Sequence, residues 1–184
     1  MMQYHTNVFL NELRQQAESH LQMAIRDWQN LTPERLSKAP LPGKWSAAQC
    51  LQHLNFYGRH YISACRMAMI RAQERGSTPL PMYKPGWLGA KFTRMMMPGG
   101  KPMASPKNAR PAEQPDPVLM LQEFIEHNEQ LLQLLGLAEK VNLEKIRVPT
   151  SLSALIRLQL GDTFAFYLAH QARHILQIQR ALAS

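Results

Sequence analysis

The chain has 184 residues, 45% of them hydrophobic, with a formal net charge of +8 and two cysteines. That length points to one domain, residues 1–184, with enough core to fold without a disulfide framework or a structural metal, and Cys50 and Cys65 fit a reducing compartment. The absence of a leader-like N-terminus and of any run of about twenty apolar residues argues against a membrane span, so a cytoplasmic protein is expected.

Residues 6–29 place Val8, Leu10, Leu13, Ala17, Leu21, Ala24, Ile25 and Trp28 at helical spacing, which predicts a long amphipathic first helix. The second is marked more sharply. In LPGKWSAAQCLQHL, Ser46 caps a helix and Gln49, three residues on, completes a capping box, with Trp45 placed to pack back as a hydrophobic staple. This helix is expected to run from about Ala47 to Arg75.

Residues 76–117 read differently, as a long irregular connection that holds nine of the thirteen prolines and the run Met95, Met96, Met97, with one short helix over Trp87 to Met97. Charge concentrates there too: between residues 71 and 112 stand Arg71, Arg75, Lys84, Lys91, Arg94, Lys101, Lys107 and Arg110 against Glu74, which is 8 − 1 = +7. A loop of this length is either a solvated basic segment or a lid that attracts an anionic ligand. No nucleic-acid-binding module accompanies the charge, so nucleic acid is not the expected partner.

Pro115 and Pro117 lead into a third helix through Leu119, Leu121, Phe124, Ile125, Leu131, Leu132, Leu135 and Leu137. Val148, Pro149 and the serines after them form a second connection, with a short helical turn expected over Leu152 to Leu158. A fourth long helix should start at Asp162 or Thr163 and end near the C-terminus. No strand alternation recurs. The fold class is all-α, a four-helix bundle with a long basic, Pro- and Met-rich crossover between helices 2 and 3.

The fourth helix carries His170 and His174, four apart, so both imidazoles leave one side of the helix about a turn apart. Both fall on one shoulder of the apolar stripe through Phe164, Leu168, Ile175, Ile178 and Leu182. On the second helix His53 and His60 also share a shoulder. Bringing these shoulders together makes a pocket of neutral imidazoles, and three such ligands leave coordination positions for water or substrate. His60 is open to three roles: a fourth ligand, a hydrogen-bonding support behind the ligands, or a surface residue. His5, His20 and His127 are expected to be solvated or incidental. An HExxH arrangement is absent, so a glutamate base between the two histidines is not the mechanism.

An early KWSAAQCLQHL and a terminal FYLAHQARHILQIQRAL, with a bundle-like middle, resemble the DinB-like superfamily, which also includes bacillithiol transferases and the metal-binding part of mycothiol-dependent maleylpyruvate isomerase. The resemblance covers residues 6–183. It implies a four-helix bundle with the long connection between the second and third helices, and a divalent metal (Zn, Ni, Mn or Fe) held by His53, His170 and His174. Gln49 departs from the glutamate found in many relatives, and the basic insertion is longer than the simple form of the family needs.

Two function classes follow. In the first, the protein is a metal-dependent enzyme acting on a small-molecule substrate by thiol transfer, with a low-molecular-weight thiol, or by metal-assisted hydrolysis. Arg71, Arg75, Lys84, Lys91 and Arg94 are then candidates to attract an anionic group, and Tyr57, Tyr61 and Tyr167 are candidate proton donors. In the second, it is a non-catalytic binding or stress-associated protein whose basic loop contacts an anionic partner, with Trp87, Met95 and Met97 as adaptable contacts. A homodimer through an apolar helix face is compatible with either.

Overall fold

A computed structural model describes residues 3–100 and 103–184, so Lys101, counted in the basic segment, lies outside it. Strand β1 (Tyr4–His5) leads into α1 (Thr6–Met23), which widens into a π-helical turn at Ala24–Trp28 and is followed by short α2 (Pro33–Ser37). Then come α3 (Ala47–Glu74), β2 (Met82–Tyr83), α4 (Trp87–Met96) and α5 (Pro117–Ala138). The hairpin strands β3 (Arg147–Pro149) and β4 (Arg157–Gln159) precede α6 (Leu160–Leu182).

The capping box at the head of α3 forms as the sequence predicts: the Gln49 N–H donates to Ser46 Oγ at 3.2 Å and the Ser46 N–H to Gln49 Oε1 at 3.0 Å. The buried stripe of α1 is rotated slightly from expectation. Phe9 is buried, whereas Val8 is 54% exposed and Ile25 36%: the buried positions Phe9, Leu10, Leu13, Ala17, Leu21, Ala24 and Trp28 form one stripe that leaves both out. Trp28 meets Phe124 with ring centroids 6.1 Å apart.

Each of α1 and α3 packs against both α5 and α6. Helix direction follows from which ends meet. β1 pairs antiparallel with β2, which puts the start of α1 at the end of α3. The Asn55 amide donates to the Met120 carbonyl, joining the first halves of α3 and α5, while the Asn142 N–H donates to Ser77 Oγ just beyond both C-termini. Thus α3 and α5 run parallel. A helix of 28 residues spans about 42 Å, so the chain must travel back along the bundle before α5 can begin. The long crossover is a geometric necessity of that order.

The crossover is stitched down along its course. The Thr6 hydroxyl donates to the Leu80 carbonyl, and Tyr83 Oη donates to Asp162 Oδ1 at 2.6 Å while the Gly86 N–H donates to Asp162 Oδ2 at 3.1 Å. Helix α4 lies on α6. Farther on, the Gln52 and Gln49 side chains bond the backbone at Ala112 and Glu113. Glycine permits the closest approach: a Cβ on Gly89 would sit 2.2 Å from Asp162 Cγ. Gly89→Ala must therefore push α4 off α6, and a loss of about 1–3 kcal/mol is expected. A thermal melt lowered by several degrees checks this; an unchanged melt would mean that α4 is not held where it lies.

Two local expectations are corrected. The helical turn expected over Leu152 to Leu158 is instead the β3–β4 hairpin, with Val148 opposite Leu158 and both buried; three-residue strands are too short to register as alternation. Helix α6 begins at Leu160 rather than at Asp162 or Thr163, because the Asp162 carboxylate is engaged by Tyr83 and Gly86 and the Thr163 hydroxyl donates back to the Gln159 carbonyl. No described helix is long and apolar enough to cross a membrane.

Candidate metal centre

The apolar interior divides into two clusters, and the histidines sit where they meet. On α3, Cys50, Leu51 and Leu54 belong to one cluster and Tyr57, Tyr61, Ile62 and Cys65 to the other; on α6, Phe164 to Leu168 and Ile175 to Ile178 divide likewise. His53, His170 and His174 fall at that seam, only 3%, 4% and 8% exposed. One ring nitrogen from each lies within 4.8 Å of the others.

Hydrogen bonds orient two of the rings. His53 Nδ1–H donates to the Ala109 carbonyl at 2.7 Å, which leaves its Nε2 lone pair available. His174 Nδ1–H donates to Gln177 Oε1 at 3.0 Å with the same result. His53 Nε2 and His170 Nε2 are 3.3 Å apart, while buried His170 Nδ1 has no hydrogen-bond partner among the described residues. Two nitrogens bound at about 2.0–2.1 Å to one tetrahedral ion are roughly 3.3–3.4 Å apart. The donor set and its spacing therefore fit a divalent ion.

Electrostatics keep the rings in the form that a metal needs. Burial, reinforced by repulsion from His174, His53 and Arg173, holds His170 well below the ordinary imidazole range. Burial and then His53 lower His174 to about 3, against the opposing bond to Gln177. His53 is lowered by burial, partly offset by its bond to Ala109. All three are neutral at pH 7, with lone pairs rather than protons to offer.

The cluster opens into a cavity of about 710 Å³. Its apolar wall includes Tyr57, Phe92, Met95, Met103 and Phe166, and Lys44, Arg110 and Arg173 also line it. Trp45 packs against the cluster that includes Cys50 and Leu51 and also faces the site: its ring lies 5.1 Å from that of His53 and stacks at 6.1 Å on His174. Arg173 straps the roof to α6, its guanidinium donating to the Met95 and Gly100 carbonyls.

The other candidate residues are dispersed. Tyr57 borders the cavity with its ring 4.5 Å from that of His170, and burial pushes its phenol up to about 12, so it is a neutral hydrogen-bond donor. Tyr61 is bonded to Ser151, and Tyr167 is buried in the core, its phenol raised by burial. His60 Nε2–H donates to the Pro149 carbonyl at 3.0 Å and contacts none of the three histidines. Arg71 and Arg75 border a different cavity, and Lys84, Lys91 and Arg94 line neither. His20 and His127 are buried, not solvated; His20 Nδ1 lies 2.9 Å from Gln171 Oε1.

Sequence reasoning missed Trp45, Arg173, Gln177 and the Ala109 carbonyl as parts of this site. Gln177 was within reach, three residues beyond His174 on the same helix face. A backbone carbonyl carries no such signal.

A helical frame with three neutral, buried imidazoles facing a cavity defines a candidate metal-binding helical protein. A profile of the DinB superfamily matches residues 15–178. The chain belongs to the DinB superfamily, whose members are typically metal-binding. No curated protein and no solved structure matches it.

Proposed function

We propose that the protein is a divalent-metal-dependent enzyme acting on a small substrate, by thiol transfer or metal-assisted hydrolysis, within one domain spanning residues 1–184. The observation that carries this reading is the set of three buried, neutral imidazoles at the base of a cavity large enough for a small molecule. His53, His170 and His174 would hold the ion. A divalent ion there, zinc, nickel, manganese or iron, supplies Lewis acidity that lowers the pKa of a thiol or water.

The chain's own residues have separate tasks. Tyr57 donates a hydrogen bond to the substrate, Phe92, Met95 and Phe166 exclude water, and Arg110 and Lys44 favour a substrate with an acidic group. A reacting thiol must come from outside. Cys50 is buried with its thiol pushed up to about 12, and burial raises Cys65 as well, so neither forms a thiolate at neutral pH.

Untagged protein purified without chelator is expected to contain near-stoichiometric metal and to consume a low-molecular-weight thiol with a model electrophile, or to hydrolyse a model ester. Chelation should abolish turnover and the same ion restore it. Turnover that survives metal removal overturns the enzymatic mechanism. A loaded protein with no turnover favours the competing reading, a non-catalytic binding protein.

A further inference from the structure

A second cavity, of about 730 Å³, lies against the far end of α3. Arg71 is eighteen residues beyond His53, roughly 27 Å along the helix. The cavity exists because Ala64, Ala68 and Ala72 present short side chains on successive turns of α3, opposite Asn142, Ile146 and Pro149. Five cations border it: Arg71 from the last turn of α3 and Arg75 capping its end, Lys145 and Arg147 from the segment leading into and along β3, and Arg157 from β4. No carboxylate does.

Arg14, Arg26 and Arg59 hold a carboxylate and most other described lysines and arginines do not, so an unpaired cation is ordinary on this protein; what sets these five apart is that they gather around one concavity. Glu144, beside Lys145 in sequence, instead accepts the Lys84 N–H at 2.8 Å. Arg147 pulls on Asp162 only at longer range. The negative end of the α3 dipole favours basic residues in its last turn, which accounts for Arg71 and Arg75. It does not account for three more cations arriving from another part of the chain. Like charges gathered without counterions repel, and a bound anion relieves that repulsion.

We propose that this cavity is a second binding site, separate from the histidine cavity, for a small molecule bearing one or more phosphate groups. Four of the five cations are guanidinium groups, whose planar fork matches phosphate oxygens in pairs. The volume falls in the range of about 300–1,000 Å³ typical of small-ligand pockets. Ser77 adds a hydroxyl whose oxygen already accepts the Asn142 N–H, leaving its proton to donate. The positive charge converges on one concavity rather than continuing to Lys84, Lys91 and Arg94, which argues for a compact anion over a nucleic-acid strand.

Titration calorimetry of the full chain with inorganic pyrophosphate, without added metal, tests the assignment. Saturable one-to-one binding is expected, weakened at least tenfold by the double change Arg71→Gln, Arg147→Gln. These residues are exposed, so the fold should be retained. Lys91→Gln with Arg94→Gln removes the same charge elsewhere and should leave the affinity unchanged, as should His170→Ala. Absence of saturable binding, equal weakening by both double changes, or loss of binding in His170→Ala would overturn the proposal. So would tighter binding of a short DNA duplex that depends on Lys91 and Arg94.

Discussion

Replacing His170 by alanine is expected to weaken metal binding by roughly 10²–10³-fold. A four-ligand structural zinc site contributes about 10–16 kcal/mol, so one ligand is worth about 3–4 kcal/mol, and each 1.4 kcal/mol is tenfold. The effect on the metal-free fold should be small by comparison. His170 Nδ1 is buried without a hydrogen-bond partner among the described residues, a penalty of about 1–3 kcal/mol that the substitution removes. Against this stands lost packing with Tyr57 and Phe166. Titration against a competing chelator reads the first quantity and a melt in chelator the second. Unchanged metal affinity would make the three histidines structural. His60→Ala, which removes only the bond to Pro149, should leave the affinity as it was and so settle the role of His60.

Acid should destabilise the metal-free protein steeply. Unfolded histidines take up protons near pH 6.5, whereas His174 stays neutral to about pH 3 in the fold and His170 well below its ordinary value. Below pH 6.5 the unfolded state therefore binds more protons, and stability falls as pH falls, by about 1.4 kcal/mol per pH unit for each histidine. At about pH 4.5 these two alone cost roughly 5 kcal/mol, a large share of a typical folding free energy of about 5–15 kcal/mol. His53, His20 and His127, all lowered by burial, steepen the loss. Urea midpoints from pH 7 to 4 in chelator measure the slope. The double change His170→Ala, His174→Ala should flatten it by nearly two protons; an unchanged slope would mean that these imidazoles are protonated in the native state.

Where information was local, the chain disclosed its structure. Ser46 and Gln49 are three residues apart and can satisfy each other before any tertiary contact forms, so the start of α3 was readable. His170 and His174 lie on one helix face for the same reason. What depended on packing was less visible. Val8 and Ile25 fit the apolar pattern of α1 yet lie at the edge of its stripe, and only packing decides that they stay outside. His20 and His127 are isolated polar residues, and only their neighbours decide that they are inside. Arg71 and Arg75 were grouped with the histidines by charge, although the rise per residue along α3 already set them about 27 Å away. Ala109 contributes a backbone oxygen, which every residue type possesses.

That last atom has an architectural consequence. The frame, α3 and α6, presents the three imidazoles, while the crossover supplies Phe92, Met95 and Met103 over them. Among the described residues its one direct bond to those imidazoles is made by a main-chain carbonyl, at a position 3% exposed. Under the proposed function the crossover would be an interchangeable module, open to being rewritten residue by residue for differently shaped molecules, provided its path is kept and position 109 stays small. Selectivity and ion capture would then rest on different parts of the chain, so one could diverge while the other stands still.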